Sequence, residues 1–170
     1  LYFIPPSPNI PDLETAVLYS GLCLIEGTNL SEGRGTNMPF KLIGAPWLDV
    51  DLLLNDYNLY DYEGIHIEKA MFTPKSIKGK AISPKYKDIL CTGIKVKLTD
   101  MAKARPLEFS INLINAIHAT HPDQFQFNSN NFIDKLYGSD ILRLCITNGC
   151  DVNELISSWE IVNENKYLLY

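Results

Sequence analysis

The spacing of apolar residues changes in the second half of the chain, and this change most constrains the fold. Ile94, Val96 and Leu98 alternate with polar residues, which is typical of a strand with one solvated face. Beyond Pro106 the apolar residues recur instead at helical spacing. Strands that precede helices, without strand–helix alternation, predict an α+β fold. We expect a mixed or antiparallel sheet from the first two thirds, packed by helices mainly from the last third.

Turn residues and caps divide the chain into individual elements. The predicted strands span residues 22–27, 40–45, 65–72 and 89–98, and the predicted helices span residues 13–21, 106–121, 132–137, 139–148 and 151–162. Asn9 with Asp12 matches the spacing of a capping box before the first helix, and Asp151 with Glu154 matches it before the last.

Composition excludes several classes of protein. With 46% hydrophobic and 21% charged residues over 170 positions, the chain has the material of one globular domain. Its formal charge of -5 argues against a nucleic-acid partner, because phosphates require a basic surface. The longest nearly apolar stretch, residues 16–25, is far shorter than the ~18 residues of a membrane-spanning helix. We therefore expect neither nucleic-acid binding nor a membrane span.

The beginning of the chain has the composition of a linker. Leu1 is not an initiator methionine, and four prolines fall within residues 5–11. Proline-rich segments of this kind often connect domains. We expect residues 1–11 to lead in from a preceding domain and the whole chain, 1–170, to form a single domain.

The cysteines and histidines give no metal site. The four cysteines form no C-x-x-C pair, and we expect them to be small buried apolar residues, with one bridged pair as the alternative. The cysteines are Cys23, Cys91, Cys145 and Cys150. His118 and His121 have a spacing that can share a metal, but a helix C-terminus favours cationic side chains and explains them without one.

The segment Glu26–Thr36 is the best candidate for a binding site. Its three glycines permit tight turns and close approach of a ligand to the backbone. Its polar side chains offer donors and acceptors in similar number, which suits a polyhydroxylated ligand. The six candidate binding residues are Glu26, Asn29, Ser31, Glu32, Arg34 and Thr36. The alternative is a polar turn in which Glu32 and Arg34 only solvate a connection.

The residues of the same segment limit which ligands and which reactions the chain can support. Its glycines fit neither the G-x-x-x-x-G-K-[ST] nor the G-x-G-x-x-G pattern, so nucleotide binding is not supported. Glycoside hydrolysis requires two carboxyl groups, and Glu26 and Glu32 are the candidate pair within the chain. The alternative, which we favour, is that one of them orients a ligand hydroxyl or Arg34 and transfers no proton.

Residues 49–63 are acidic and rich in tyrosine. The order of the carboxylates lacks the spacing of an EF-hand, so an exposed loop or helix is the better interpretation. Tyr57, Tyr60 and Tyr62 are expected to be half-buried there, and aromatic faces of this kind can stack on sugars.

Several motifs along the chain together resemble the NamZ-type exo-β-N-acetylmuramidases, a family long described as a bacterial domain of unknown function. The run E-G-T-N-L-S-E-G-R-G-T at residues 26–36 is the most specific. The other matching segments are residues 7–11, 13–16, 39–40, 44–47, 72–74, 91–94, 99–100, 122–125, Leu136 with Gly138, and 167–170.

The resemblance implies a glycoside hydrolase that removes terminal β-linked N-acetylmuramic acid (MurNAc) from MurNAc–GlcNAc saccharides of peptidoglycan. It implies two domains, a Rossmann-like N-terminal one and a C-terminal one, with the active site between them and no cofactor. Only the C-terminal one is matched here, so this chain is expected to bind substrate and to be inactive alone. The resemblance also implies export to the bacterial envelope, periplasmic or secreted. The alternative is a non-catalytic carbohydrate-binding or structural module.

Overall fold

The structure is a computed structural model that describes residues 3–56 and 62–166. It contains three strands, β1 to β3, and six α-helices, α1 to α6, and is α+β as predicted. In chain order the elements are α1 (Leu13–Leu22), a 3₁₀ helix (Cys23–Gly27), β1 (Leu42–Ala45), α2 (Val50–Asp56), β2 (Ile65–Phe72), β3 (Cys91–Leu98), α3 (Pro106–Thr120), α4 (Phe132–Tyr137), α5 (Ile141–Asn148) and α6 (Val152–Lys166).

The sheet is antiparallel, in the order β1-β3-β2, with β3 in the centre. Ile94 of β3 lies opposite Ile43 of β1, and Val96 lies opposite Ile67 of β2. These four side chains are buried in one core with α3. The sheet therefore has one face covered by helices, which agrees with the alternation in β3.

Helix α3 is the centre of the helical layer. It begins at Pro106, as predicted, and most of its length is buried. Helix α1 packs against its start at Gly21, where a Cβ atom would lie only 2.1 Å from the Pro106 carbonyl. Glycine at this position lets the two helices approach each other closely and fixes where the segment after α1 begins.

One predicted strand is wrong. Residues 22–27 form the last residue of α1 and the 3₁₀ helix Cys23–Gly27. A short apolar run fits a buried strand and a buried helix equally well, and Leu22, Leu24 and Ile25 all enter the core in helical geometry. The other predicted strands and helices are present, with ends that shift by a few residues.

The caps differ in part from the prediction. Asp12 itself caps α1 by accepting a hydrogen bond from the Thr15 amide at 2.7 Å, whereas Asn9 donates to the Lys80 carbonyl. Before α6, Asp151 accepts from the Asn153 amide. The expected role of Asn9 as a cap is therefore wrong, because its amide group is used to hold the lead-in against a distant loop.

The structure shows the alternative outcome for the cysteines. Cys145, at the end of α5, forms a disulfide with Cys150, just before α6, while Cys23 and Cys91 are free. Burial raises the pKa of the Cys91 thiol to about 11, which makes it inert at neutral pH. Across residues 3–56 and 62–166, none of the helices is long and apolar enough to cross a membrane.

Candidate functional site

The Glu26–Thr36 segment is held between a loop and the edge strand β1. Asn29 donates its backbone N–H to the Gln126 carbonyl, and Thr28 forms a bridge with Phe127. Further on, Ser31 and Gly44 exchange two backbone hydrogen bonds, of 2.8 and 3.1 Å. Because both sides are anchored to the fold, the side chains between them have fixed positions.

Two glycines turn the segment back on itself. Gly33 has a φ angle of 77°, and a Cβ atom there would lie 2.7 Å from the Leu42 carbonyl oxygen. Gly35 has a φ of 81°, and its carbonyl accepts the Lys75 amide at 2.8 Å. Only glycine combines this backbone conformation with so little space. The turn aims the intervening Arg34 back towards the start of the segment.

Arg34 brings the two candidate carboxylates together. Its Nη2 donates to Glu26 Oε2 at 2.8 Å, and its Nε lies 3.5 Å from Glu32 Oε1. The guanidinium also lies over the Phe40 ring, 5.2 Å from the ring centroid, in a cation–π contact. The three side chains that the sequence analysis assigned to one segment thus lie together in the structure, and their contact with a ligand stays a prediction.

Lys85 completes the cluster and was missed by the sequence analysis. Its Nζ lies 3.1 Å from Glu32 Oε2 and donates to the carbonyls of Thr28 and Leu30 at 2.7 and 2.9 Å. Lys85 comes from the loop between β2 and β3, more than 50 residues away in sequence. As one of 15 basic residues, with no local motif around it, it carries no signal that sequence reasoning could use.

The cluster lies beside an open cavity of about 350 Å³. Two carboxylates and two cations balance in charge, so the site offers donors and acceptors in equal measure. Glu32 Oε2 and Arg34 Nε are buried and, among the described residues, are ion-paired without a hydrogen bond of good geometry. Buried polar atoms are normally hydrogen-bonded, so this residual capacity beside a cavity is typical of a ligand site. We name Glu26, Glu32, Arg34 and Lys85 the charged cluster.

The other three predicted binding residues use their side chains within the fold. Asn29 Nδ2 donates to the Gln124 carbonyl and its Oδ1 accepts from the Gln126 amide. The Ser31 hydroxyl is buried and accepts from the Gly33 amide, while Thr36 Oγ1 donates to the Gly33 carbonyl. These side chains shape the segment, and direct contact of any of them with a ligand stays a prediction.

A larger cavity of about 770 Å³ lies between residues 46–51, the end of β2 and the start of β3. None of the predicted binding residues lines it, and its lining is mainly apolar. Two hydrogen bonds connect its wall to the candidate segment. Trp47 Nε1 donates to the Tyr86 hydroxyl, which in turn donates to the Asn29 carbonyl at 2.6 Å. We place the site at the smaller cavity because the charged groups converge there.

Of the three tyrosines that were expected to be half-buried and able to stack on sugars, the structure describes only Tyr62, which is half-buried. Tyr62 packs edge-on against Phe109, and burial raises its pKa to about 12. Tyr57 and Tyr60 lie outside the described residues. Among the acidic residues nearby, Asp51 pairs with Lys69. Within the described ranges, no three metal-ligating side chains come together.

His121 has a different role from the expected cation. Its Nε2 accepts a hydrogen bond from the Asp49 amide at 2.9 Å, which only an unprotonated nitrogen can do. Burial lowers its pKa, although the Asp49 carboxylate partly opposes this. The interpretation of His121 as a charge on the helix C-terminus is therefore wrong. It is a neutral acceptor that ties the end of α3 to the start of α2.

The chain is 37% identical, over 176 residues, to the protein of Bacillus subtilis (strain 168) named peptidoglycan beta-N-acetylmuramidase NamZ. That alignment covers all of this chain but 41% of the relative, so the chain spans less than half the relative's length.

Two crystal structures of DUF1343 family proteins from Bacteroides fragilis NCTC 9343 have the same fold. One superposes with a TM-score of 0.74 at 23% identity and covers 86% of this chain and 38% of that protein. The other has a TM-score of 0.64 at 31% identity and covers 97% of this chain and 41% of that protein.

A family profile described as "Exo-beta-N-acetylmuramidase NamZ, C-terminal" matches residues 17–170. This match contains the whole charged cluster and every helix and strand except the start of α1. The chain therefore belongs to the NamZ C-terminal domain family.

Proposed function

We propose that this chain is the C-terminal part of a peptidoglycan exo-β-N-acetylmuramidase. In this proposal the charged cluster binds terminal β-linked MurNAc in a cleft that the chain shares with a Rossmann-like N-terminal domain of the same protein. The observation that carries the proposal is the convergence of Glu26, Glu32 and Arg34 beside a cavity, within the stretch that matches the muramidase family.

The chemistry of the cluster fits this sugar. MurNAc carries hydroxyls, an acetamido group and a lactyl carboxylate, so it needs both acceptors and a cationic donor. The two glutamates supply acceptors for hydroxyl and amide protons. Arg34, whose side chain is 31% exposed, supplies a guanidinium that pairs well with a carboxylate. The lactyl group is what distinguishes MurNAc from GlcNAc, so Arg34 is the proposed specificity contact.

The proposed division of labour leaves proton transfer to the other domain. Glu26 and Glu32 are both held by cations of this chain, an arrangement that positions a carboxylate as an acceptor. The coverage of less than half the B. subtilis relative is consistent with a site completed by residues outside this chain. We accordingly expect the chain to be inactive alone.

We also propose that the protein acts at the bacterial envelope, in the periplasm or after secretion, in the recycling of cell-wall fragments. The disulfide between Cys145 and Cys150 supports an oxidising compartment, because such bonds are rare in the reducing cytosol.

The test is release of MurNAc from a chromogenic β-MurNAc glycoside by the protein in which this chain is joined to its N-terminal domain. We expect hydrolysis by the wild type. Glu26→Gln and Glu32→Gln should mainly raise KM, with kcat within about tenfold of the wild type, since binding contacts act on the ground state as well.

Two outcomes contradict the proposal. If the folded protein releases no MurNAc but binds it, the chain is a carbohydrate-binding module. A fall in kcat of about a thousandfold or more in either variant, with KM unchanged, makes that carboxylate catalytic.

A further inference from the structure

Lys85 occupies a cage that has the composition of a cation site. Besides Glu32 Oε2 at 3.1 Å and the Thr28 and Leu30 carbonyls, its Nζ has the carbonyls of Ile25 and Glu26 at 3.3 and 3.4 Å. Five oxygens from one short segment thus surround a single ammonium group. The ammonium group of lysine has only three protons for these five oxygens, so it acts here as a point charge that several oxygens share.

The cage arises from how the chain leaves the 3₁₀ helix. This helix ends at Gly27, and carbonyls at a helix C-terminus lack intrahelical partners and carry partial negative charge. The Ile25 and Glu26 carbonyls belong to this end and also accept hydrogen bonds from the Thr28 amide at 3.0 Å and from Asn128 Nδ2 at 2.8 Å. The next turn adds the carbonyls of Thr28 and Leu30, for which Lys85 is the donor. Without a cation at this point, the Thr28 and Leu30 carbonyls would face Glu32 Oε2 with no positive charge between them, and Glu32 would keep only its pairing with Arg34 among the described residues.

The cage also connects directly to the proposed site. It contains Glu32 and the main-chain carbonyl of Glu26, the two residues whose side chains Arg34 brings together. Lys85 itself lies on a different segment, and its side chain is 29% exposed. Its ammonium therefore cross-links the loop before β3 to the segment that presents the carboxylates.

We infer that Lys85 is a positioning residue whose ammonium neutralises a built cation site, and that this site accepts a small monovalent cation when the side chain is removed. Ammonium and K⁺ suit it, since carbonyl and carboxylate oxygens are hard ligands and neither ion demands a strict geometry. A guanidinium does not suit it, because its planar fork cannot direct donors to five oxygens around one point.

The first experiment measures thermal unfolding and requires no activity. Lys85→Ala, Lys85→Gln, Lys87→Ala and the wild type are compared in chloride salts of ammonium, K⁺ and tetramethylammonium at equal ionic strength. Lys87 is the matched control, because it lies two residues away and, within the part of the chain that the structure describes, pairs only with the exposed Asp88. We expect Tm to fall by about 5–10 °C in both Lys85 variants, and by less than about 2 °C in Lys87→Ala.

The cation dependence decides the outcome. Ammonium or K⁺ should raise the Tm of Lys85→Ala by about 3 °C or more over tetramethylammonium, and should leave the wild type and Lys87→Ala unchanged. Equal Tm values of Lys85→Ala in the three salts would overturn the inference. So would a Lys85→Ala chain that fails to fold in every salt while Lys85→Gln folds without any cation preference.

The second experiment tests positioning and rests on the proposed function. In the muramidase assay, Lys85→Ala should lose activity at subsaturating substrate, through a raised KM, and should regain part of it in ammonium. Lys85→Arg should lose activity in every salt, because its planar guanidinium does not suit the cage. Loss that no cation restores would make Lys85 merely structural. If the protein releases no MurNAc at all, the proposed function fails but the thermal experiment still decides the cation site.

Discussion

Arg34 forms a 2.8 Å charge-assisted hydrogen bond with Glu26, which lies eight residues earlier in the sequence on the other side of a turn. The same guanidinium faces Glu32 and the Phe40 ring. Its position therefore depends on a carboxylate at each side and on an aromatic surface. Arg34 holds the charged cluster together, and in the proposed function it also binds an anionic group of the substrate.

Arg34→Ala should weaken binding of MurNAc more than binding of GlcNAc. A charge-assisted contact with the lactyl carboxylate corresponds to about 10- to 100-fold in Kd, and GlcNAc has no such group. Isothermal titration of both sugars against the wild type and the variant measures the difference. Arg34→Lys, which keeps the charge without the fork, should lose less. Equal losses for the two sugars would remove Arg34 as the specificity contact.

Gly33→Ala should lower the free energy of unfolding by about 2–4 kcal/mol, because the new Cβ adds a steric conflict with the Leu42 carbonyl to an unfavourable φ. Gly79→Ala is the matched control, since Gly79 has a φ of 79° and open space around it. The control should cost only about 1 kcal/mol. Urea unfolding curves give both values, and similar losses would show that the turn does not depend on close packing against β1.

Stability should decrease as the pH falls below about 6.5, and His121 should account for part of this decrease. Burial lowers the pKa of His121 in the folded state below its ordinary value of 6.5. The unfolded chain therefore takes up the proton first, so the stabilisation is complete above 6.5 and is lost as the pH falls through the folded-state value.

The urea midpoint measured from about pH 8 to pH 5 checks this pH dependence. In His121→Gln the side-chain carbonyl can still accept the Asp49 N–H but does not titrate. The variant should show a smaller decrease over this range, and an unchanged slope would exclude His121 as the source.

The disulfide predicts a definite thiol count. Denatured wild-type chain without reductant should show two free thiols, from Cys23 and Cys91, and four after reduction. Cys150→Ser should lower the free energy of unfolding by about 2 kcal/mol, since the bond closes a short loop of sequence separation 5. Four free thiols in protein isolated under non-reducing conditions would remove the support for an oxidising compartment.

The sequence predicted elements whose pattern is set locally. The alternation in β3 and the helical period after Pro106 both describe burial of one face, and each element formed as expected. The prediction of a strand at residues 22–27 was wrong because a short apolar run has no periodicity that distinguishes a strand from a helix. Their geometry depends on α1, which packs on α3 at Gly21 and continues into the 3₁₀ helix.

The site was predictable only as far as it lies in one segment. Glu26, Glu32 and Arg34 lie in one glycine-rich segment, so the sequence singled them out together, but their spacing did not give the distance between the two carboxylates. Lys85 joins these residues only through the tertiary structure, so nothing in the sequence indicated that it belongs to the site. Asn29 and Thr36 looked like ligand groups because composition does not show that main-chain atoms nearby already use their side chains.

The most direct test of the account is release of MurNAc from a chromogenic β-linked glycoside by this chain alone and by this chain mixed with a separately expressed N-terminal domain. Each piece is first shown to be folded by circular dichroism and thermal unfolding. The account predicts turnover only in the mixture, and about 10- to 100-fold less of it at subsaturating substrate when the chain carries Arg34→Ala. Turnover by the chain alone would contradict it and would move catalysis to Glu26 and Glu32.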